Sequence, residues 1–261
     1  MLTISSSTYS QIQDLIAEGY LKTEKHPTAD LHIYNYTPKC QYDRYWNETT
    51  MICRGLILDG QEKIVARPFP KFFNMEEHQT PGMPPIPEEP FDVFEKMDGS
   101  LGILYWVDDE PHIATRGSFV SEQSQKATQL LHTKYKKTIP YLRKHKTQTW
   151  LFEIIYPENK IVVDYGEAQE LVLLAIIDTE TGTDEPLPDI GFPIVKSYDG
   201  IKDFESLKAL NTPNAEGFVL RFKNGFRVKV KFAEYIRLHK LITQLSNVAI
   251  WEHLKAGQPF D

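Results

Sequence analysis

A lysine followed by a turn is the first pattern in this chain that could perform covalent chemistry. The segment FDVFEKMDGS, Phe91–Ser100, alternates apolar and polar residues as a strand does, with Lys96 near its end. Asp98-Gly99 then supplies a turn at which backbone can approach a ligand closely. A lysine amine in that position is suited to attack a phosphorus atom. An ordinary hairpin with one exposed lysine would carry the same four residues.

Other charged residues recur inside apolar strands. In FRVKVKF, Lys229 and Lys231 are two residues apart and therefore project from one face. Two like charges repel there unless an anion such as a nucleotide phosphate lies between them, although lysines also protect solvent-facing edge strands. Glu153 lies within the apolar run LFEIIY and needs a partner, either a metal or the cation of a structural ion pair. Glu216-Gly217 precedes another apolar strand.

The first half of the chain is predicted to be rich in strands. The pattern indicates a helix over 8–18, a strand at LHIYNYT and an irregular loop at PKCQYDRYWNETT. A hairpin is predicted over 51–73, turning at Asp59-Gly60. Residues 81–90 contain five prolines and should form a rigid connector. These elements lead into the Lys96 strand.

The second half returns to strands after a helical stretch over 121–146 that should break near Pro140. Strands are predicted at TWLFEIIY, KIVVDY, ELVLLAIID, AEGFVLRF and FRVKVKF, with a short helix at IKDFESLKAL. From Ala233 on, an apolar stripe formed by Leu238, Leu241, Ile242 and Leu245 predicts a helical tail. The fold class is therefore α+β, with mostly antiparallel sheets and flanking helices.

The bulk composition excludes several protein classes. With 261 residues, of which 41% are hydrophobic and 25% charged, the chain has the composition of a globular domain or two. Two isolated cysteines, Cys40 and Cys53, form no disulfide or zinc framework, so a reducing, cytoplasmic location is expected. No apolar run approaches the ~20 residues of a membrane span, and the N-terminus lacks a secretory pattern.

Local charge is more informative than the net charge of −7. No Asp or Glu occurs from Gln123 through Phe152, whereas seven lysines and arginines lie between Lys126 and Lys146. Such a stretch is either a surface for a polyanion or a solvated helix face. Tyr135 and Tyr141 within it could stack on bases or pack in the core.

The motifs occur in an order that resembles the covalent nucleotidyltransferases, the class of DNA ligases, RNA ligases and mRNA capping enzymes. They are K-M-D-G-S at Lys96, T-R-G-S at Thr115, L-F-E at Leu151, E-G-F-V-L-R at Glu216 and V-K-V-K-F at Val228. Upstream, C-R-G-L-I-L at Cys53 and A-R-P-F-P-K-F-F-N at Ala66 resemble the N-terminal part of the bacteriophage T4 RNA ligase 1 family. The resemblance runs from about Ile33 to Phe232.

This resemblance implies an adenylyltransferase domain over residues 1–232 and a short helical tail over 233–261, acting as an ATP-dependent RNA ligase. Lys96 would be the nucleophile that accepts AMP. The residues implied to surround ATP are Tyr36, Arg54, Lys71, Phe73, Arg116, Glu153, Lys229 and Lys231. Glu216 and Glu153 would hold Mg²⁺ or Mn²⁺, or Glu153 would instead bind the ribose hydroxyls. Phe73 or another aromatic residue would stack on the adenine.

The implied reaction joins an RNA 5′-phosphate to an RNA 3′-hydroxyl. Its first step needs a neutral amine, although a free lysine has a pKa of ~10.4. Neighbouring cations disfavour the charged form of an amine, so Lys229, Lys231 and a bound metal would help to activate Lys96. The lysines would also neutralise charge on the α-phosphate. The basic stretch then becomes a candidate RNA contact.

Two points keep alternatives open. The T4-type enzyme has a C-terminal domain beyond the last lysine motif, whereas thirty residues follow Lys231 here, so RNA specificity is expected from the tail, a protein partner or the catalytic domain. Within the same chemistry, a DNA ligase or a GTP-using capping enzyme is an alternative, against which the upstream hairpin speaks. A non-catalytic nucleic-acid-binding module with a vestigial nucleotide pocket is the alternative from another class.

Overall fold

The computed structural model describes residues 3–201, 203–210 and 212–244. The chain divides into two compact units. Unit 1 comprises Met1–Phe72, Gly99–Asn159 and Glu167–Val195, and unit 2 comprises Phe73–Asp98, Lys160–Gly166 and Lys196–Asp261. Unit 1 contains two sheets and unit 2 contains one, and each unit has buried apolar clusters of its own residues.

Strands outnumber helices along the described part of the chain. In chain order the strands are β1 (Leu21–Lys25), β2 (Leu31–Tyr36), β3 (Arg54–Asp59), β4 (Ile64–Ala66), β5 (Phe73–Asn74), β6 (Phe91–Lys96), β7 (Ser100–Val107), β8 (Glu110–Ala114), β9 (Gln148–Ile155), β10 (Glu170–Asp178), β11 (Asp184–Glu185), β12 (Ser197–Tyr198), β13 (Gly217–Phe222) and β14 (Arg227–Lys231). The α-helices are α1 (Ser6–Ala17), α2 (Pro38–Tyr42), α3 (Glu48–Ile52), α4 (Glu122–His132), α5 (Ile139–Arg143), α6 (Phe204–Ala209) and α7 (Ala233–Gln244). Short 3-10 turns lie at Met75–Gln79, Lys136–Thr138 and Pro157–Asn159.

Unit 1 is built from two antiparallel sheets, ordered β1-β2-β3-β4 and β11-β10-β9-β7-β8. Apolar side chains of both sheets, such as Ile33, Ile57, Ile103 and Leu151, share one buried cluster. Because alternate residues of a strand face opposite sides, the outer face of each sheet needs a cover of its own. Residues of α1 pack on the first sheet and residues of α4 and α5 on the second. Unit 1 is thus a layered α/sheet/sheet/α structure.

Unit 2 has one sheet, ordered β12-β6-β13-β14-β5. All neighbours in it are antiparallel except β14 and β5, which are parallel. Its buried cluster combines sheet residues with Leu207 of α6 and Tyr235 of α7. The prediction of an α+β fold with mostly antiparallel sheets and flanking helices is confirmed.

The predicted loop PKCQYDRYWNETT contains two short helices, α2 and α3. Each has an N-cap, because the Thr37 side chain accepts from the Cys40 N–H and the Asn47 side chain accepts from the Thr50 N–H. Pro38 fits the first turn of α2, where its missing N–H is not needed. The capping signals outweigh the turn-like composition on which the loop prediction was based.

The helical stretch over 121–146 breaks earlier than predicted. Helix α4 ends at His132, and the chain resumes as a 3-10 turn and then α5, where Pro140 occupies the first turn instead of interrupting a helix. The predicted strand KIVVDY is an irregular segment, because the backbone N–H groups of Val162 and Val163 donate to the Asp98 carboxylate instead of to a neighbouring strand.

The predicted tail begins as helix α7, with Leu238 half-buried and Leu241 and Ile242 exposed. Leu245 and the rest of the predicted tail lie outside the described residues. The boundary at 232/233 stays a prediction. Within the described part of the chain, no helix combines the length and the apolar character that crossing a bilayer requires.

Candidate active site

Lys96 lies in a row of three residues that runs across the unit 2 sheet. It pairs with Gly217 of β13, and Gly217 pairs on its other side with Lys231 of β14. Residues directly opposite one another in antiparallel strands project to the same face. The sheet register therefore places the predicted nucleophile and one of the paired lysines on a common face, on either side of a residue without a side chain.

Glu216 joins these two lysines. Its carboxylate is 3% exposed, and its two oxygens accept from the Nζ atoms of Lys96 at 2.7 Å and of Lys231 at 2.8 Å. One negative charge thus holds two positive charges, which leaves a local excess of one cation. The geometry fixes the Lys96 amine and favours an anion beside it.

Gly217 is required by this arrangement. Its φ is +145°, which L side chains rarely adopt, and a Cβ built there would lie 2.0 Å from the Val230 carbonyl oxygen. The backbones therefore approach at the level of Lys96 and Lys231 in a way that only glycine permits. The Glu216-Gly217 pair identified in the sequence acts through both of its residues.

Lys229 belongs to the next row of the same sheet. It pairs with Val219, which pairs with Phe94 of β6. Along β14, Val228 and Val230 are buried, whereas Lys229 and Lys231 are half-buried, as the alternation predicts. Lys229 therefore lies on the face that carries Lys96 and Lys231.

Phe73 pairs with Val228 at the far edge of this sheet. Its side chain is 3% exposed, and its ring packs edge-on against His78 with centroids 6.1 Å apart. A ring so enclosed offers little face to a base. Its predicted place near the nucleotide stays a prediction.

Asp98 is a buried anchor that sequence reasoning treated as a turn residue. Its side chain is 3% exposed and accepts from the Tyr235 hydroxyl at 2.7 Å and from the N–H groups of Val162 and Val163, each at 2.8 Å. The Asp98 N–H donates to the Tyr165 hydroxyl at 2.9 Å. These contacts fix the chain two residues beyond Lys96.

Tyr235 was missed because nothing in its neighbourhood distinguishes it from a core residue of a helix. Burial first, then the carboxylates of Glu216 and Asp98, raise the pKa of its hydroxyl, so the group stays protonated and donates to Asp98. The Lys231 ammonium lies 4.9 Å from the centre of the same ring. A tyrosine four residues after a paired lysine is the weak signal that could have identified it.

A second group of predicted residues gathers in unit 1. The Arg116 guanidinium donates to the Tyr36 hydroxyl at 2.8 Å and lies 5.0 Å from the centre of that ring. The Lys71 ammonium lies 5.8 Å from the same ring and 5.3 Å from that of Trp46. The structure thus brings Tyr36, Lys71 and Arg116 together and adds Trp46, which was not predicted.

Arg54 belongs to this group. Its guanidinium lies 5.5 Å from the rings of both Phe69 and Phe72. Burial lowers its pKa, and Arg116 acts in the same direction, while Tyr36 and Glu153 raise it. Its Nη1 is buried and has no hydrogen-bond partner among the described residues. A buried donor of this kind is expected to meet an anion.

Glu153, on β9, supports the turn that follows Asp98. Its Oε1 accepts from the Gly99 N–H at 2.8 Å. A Cβ at Gly99 would lie 2.6 Å from the Ile154 carbonyl oxygen, so the turn needs glycine there. Among the described residues, no group of three or more His, Cys, Asp or Glu side chains is arranged to hold a metal ion.

The basic stretch is less uniform in space than in sequence. Three of its members, which we name the paired cations, form ion pairs with acids from outside the stretch: Lys134 with Glu170, Arg143 with Glu110, and Lys146 with Asp109. Three others, the exposed lysine cluster, lie on the 3-10 turn before α5 and directly after α5: Lys136, Lys137 and Lys144. Tyr135 is buried in the core, whereas Tyr141 is 37% exposed and stacks on His145.

Several known proteins resemble this chain. An RNA ligase of Rhodothermus phage RM378 is 26% identical over 209 residues, covering 66% of this chain and 46% of the relative. A protein of Thermovibrio ammonificans with a provisional RNA ligase name is 29% identical over 209 residues, covering 75% and 54%. The chain spans about half the length of these curated relatives.

The fold is shared with a solved archaeal ATP-dependent RNA ligase, at a TM-score of 0.61 and 16% identity, covering 94% of this chain and 68% of that one. The family model described as RNA ligase, of the T4 RNA ligase 1 type, matches residues 52–235. That range contains Lys96, Glu216 and Lys231 and is more than half of the chain. The chain therefore belongs to the T4 RNA ligase 1 family of RNA ligases.

Proposed function

We propose that this chain is an ATP-dependent RNA ligase that works through a lysyl-AMP intermediate on Lys96. The observation that carries the proposal is the pairing of Lys96 and Lys231 on one buried carboxylate, Glu216. Family membership supports it, because the range that the family model matches, residues 52–235, contains these three residues. The relatives' names support RNA as the nucleic acid.

The proposed reaction has three steps that balance. The Lys96 amine, having lost its proton to solvent, attacks the α-phosphorus of ATP; an N–P bond forms and the bond to the β-phosphate oxygen breaks, releasing pyrophosphate. A 5′-phosphate oxygen of RNA then attacks that phosphorus and frees the lysine, which regains a proton. Finally, the 3′-hydroxyl of a second end attacks the 5′-phosphate phosphorus, forms the phosphodiester and releases AMP.

The unit 2 residues would perform the phosphoryl chemistry. Glu216 orients the amine, and Lys231 and Lys229 supply positive charge where negative charge accumulates on the phosphate. Lys231 does not have to move far, since it is already held by the same carboxylate as Lys96. Asp98 and Tyr235 keep the strand end that carries Lys96 in place.

The unit 1 residues are assigned to nucleotide contacts on the family resemblance. Arg54 is the best supported of them, because its buried Nη1 lacks a partner among the described residues and would donate to an anionic oxygen. Lys71 and Arg116 add two positive charges beside Tyr36. Glu153 is bonded to the Gly99 amide, so its part in binding a ribose stays a prediction.

Use of Mg²⁺ or Mn²⁺ is proposed from the chemistry of ATP, since a divalent cation offsets the triphosphate charge. Among the described residues, no group of three or more His, Cys, Asp or Glu side chains could hold the cation by itself. Both oxygens of Glu216 accept from lysines, and Oε1 of Glu153 accepts from the Gly99 N–H. A cation beside two ammonium groups would be repelled, so we assign no step of the reaction to a metal held by these residues.

The substrate ends and the cellular setting are part of the same proposal. The RNA would carry a 5′-phosphate and a 3′-hydroxyl, as the three steps require. A protein partner that contributes RNA specificity belongs to the same proposal. Cys40 and Cys53 are buried and not linked to each other, which supports a reducing cytoplasmic compartment.

The test is covalent labelling. The protein is incubated with α-labelled ATP, and separately with α-labelled GTP, and then denatured and separated by electrophoresis. We expect label from ATP that survives denaturation, is absent in Lys96→Ala and is retained in Lys22→Ala, an exposed lysine of β1. Lysyl-GMP in place of lysyl-AMP would point to a capping enzyme.

Failure to label with either nucleotide, in Mg²⁺ or Mn²⁺, would favour the non-catalytic binding module. Joining of a nicked duplex with DNA ends but not RNA ends would favour a DNA ligase. A second arm uses Lys231→Ala and Lys229→Ala. Loss of labelling with an unchanged far-ultraviolet circular dichroism spectrum is expected for both.

A further inference from the structure

A partly exposed group of aromatic residues lies at the corner formed by α2 and α3 in unit 1. We name it the aromatic corner and define it as Tyr20, Tyr42, Tyr45 and Trp46. Tyr42 is 84% exposed and Tyr45 is 41% exposed. Tyr42 is the most exposed of the large apolar side chains among the described residues, and Val120 follows at 50%. Exposed tyrosine rings offer a flat apolar surface that a ligand can cover.

Three rings of the aromatic corner, those of Tyr20, Tyr45 and Trp46, pack against other side chains. Tyr20 and Tyr45 stack with their centroids 4.2 Å apart and their planes 9° apart. The Lys39 ammonium lies 4.2 Å from the centre of the Tyr20 ring. Trp46, the next residue after Tyr45, packs edge-on against Tyr36 at 5.1 Å. The rings therefore continue directly into the group of Tyr36, Lys71 and Arg116.

The backbone holds these rings in position. The Tyr45 carbonyl accepts from Cys40 Sγ and from Thr50 Oγ1, and the Tyr45 N–H donates to the Cys40 carbonyl. Arg44 adopts a φ of +51°, a conformation that non-glycine residues rarely take. A rigid turn that presents aromatic side chains to solvent reduces the ordering entropy that a ligand must overcome.

The charges beside the rings are mostly positive. Lys39 and Arg44 are exposed at the corner, and Lys71 and Arg116 lie behind it. Two acids, Asp43 and Glu18, lie close to the Tyr20 hydroxyl. Aromatic faces combined with cations fit a single-stranded nucleic acid, whose bases stack while its phosphates pair with the cations.

We propose that the aromatic corner binds unpaired bases of a single-stranded RNA end, with Tyr42 and Tyr45 as the stacking surfaces. Lys39 and Arg44 contact the flanking phosphates. The proposal deepens the function proposed above and rests on it, since it names where one RNA substrate strand is held. It also identifies the unpaired end, in contrast to a duplex, as the preferred form.

The test measures RNA binding without ATP. Fluorescence anisotropy compares a short labelled single strand, the blunt duplex of the same sequence, and a ribose-phosphate chain without bases. We expect the single strand to bind most tightly, and Tyr42→Ala to weaken it by about 5- to 150-fold, the range seen when one stacking aromatic is removed. Because Tyr42 is 84% exposed, the variant should keep the thermal midpoint of the parent.

Matched variants distinguish aromatic stacking from nonspecific hydrophobic binding. Tyr42→Phe should bind as the parent does, because a benzene ring still stacks, whereas Tyr42→Leu should bind as weakly as Tyr42→Ala. Val120→Ala, at an exposed apolar residue in the same unit, should change nothing. Lys39→Met and Arg44→Met should each reduce the slope of log affinity against log salt by about 0.7.

Equal affinity of Tyr42→Ala and parent for the single strand would overturn the proposal and leave a protein partner as the occupant. Equal affinity of the parent for the strand with and without bases would also overturn it. Lysyl-AMP labelling in the absence of RNA distinguishes the two proposals. If lysyl-AMP forms but the Tyr42 variants bind RNA as the parent does, only the proposal that the aromatic corner binds RNA is refuted. If no lysyl-AMP forms but the Tyr42 variants behave as expected, only the ligase proposal is refuted.

Discussion

Replacing Glu216 by glutamine tests how Lys96 is held. The side chain is 3% exposed and accepts from two ammonium groups, at 2.7 Å and 2.8 Å. Hydrogen bonds to charged groups contribute roughly 1.5–3 kcal/mol each. Since the lysine side chains are 20% and 25% exposed, water replaces part of each contact. We therefore expect Glu216→Gln to lower the free energy of unfolding by roughly 2–4 kcal/mol.

The assay is urea denaturation of the parent and the variant, with Asp92→Asn as the control. Asp92 pairs with Arg221 at 2.8 Å on the same sheet, but it is 64% exposed, so its loss should lower the free energy of unfolding by no more than roughly 1 kcal/mol. Adding Lys231→Met to Glu216→Gln should recover stability, because it removes one of the two ammonium groups left without a counter-charge. The two substitutions would then be non-additive, as contacting residues are.

Lysyl-AMP formation gives the second readout for the same variant. If Glu216 positions Lys96, labelling by Glu216→Gln should fall strongly and should not recover when Mg²⁺ or Mn²⁺ is raised. Recovery at high metal concentration would instead identify Glu216 as the metal ligand expected from the sequence. A stability loss no larger than that of Asp92→Asn, or strict additivity with Lys231→Met, would refute the reasoning from the shared carboxylate.

Three further predictions concern RNA binding, pH dependence and thiol reactivity. Reversing the charges of the exposed lysine cluster to glutamate should weaken RNA joining more than lysyl-AMP formation, while the same change at the paired cations should mainly lower the thermal midpoint; equal effects on both reaction steps would exclude an RNA contact. Burial first, then His132 and His26, lower the pKa of His112, so the folded protein binds a proton at this residue less readily than the unfolded chain does. The free energy of unfolding should therefore fall as the pH drops from 7 through the unfolded pKa of about 6.5 towards the lower folded pKa. His112→Asn should reduce this dependence of stability on pH. Burial raises the pKa of Cys40 to about 11, three units above pH 8, so roughly one thiolate per thousand is present and iodoacetamide should label it in mass spectra only after unfolding.

The strands that carry the chemistry could be predicted from sequence because their signal is local. The alternation of lysine and apolar residues in β14 has a period of two, and the structure confirms that Lys229 and Lys231 share a face. The Lys96 strand and the β3–β4 hairpin were predicted for the same reason. In each case a strand alternates residues between a buried face and an exposed one, which the order of residue types reveals directly.

The partners of those residues could not be predicted, since they depend on tertiary contacts. The resemblance implied that Glu216 holds a metal, which stays a prediction, but it gave no sign that the two oxygens accept from two lysines, one of them 120 residues away. Asp98 was expected to make a turn, yet it binds the backbone of 162–163 and the hydroxyl of Tyr235. Because the N–H groups of Val162 and Val163 donate to Asp98 and not to a neighbouring strand, the β-like sequence KIVVDY forms an irregular segment. The need of the buried Asp98 carboxylate for hydrogen-bond donors outweighed the β propensity of this segment.

The distance along the chain between Lys96 and its companions has a consequence for biosynthesis. The ribosome makes Lys96 long before Glu216, a gap of 120 residues that takes roughly 6–24 s to translate at about 5–20 residues per second. Tyr235 follows Asp98 by 137 residues. A nascent or prematurely terminated polypeptide that stops before Glu216 therefore carries the lysine without the carboxylate that holds its amine.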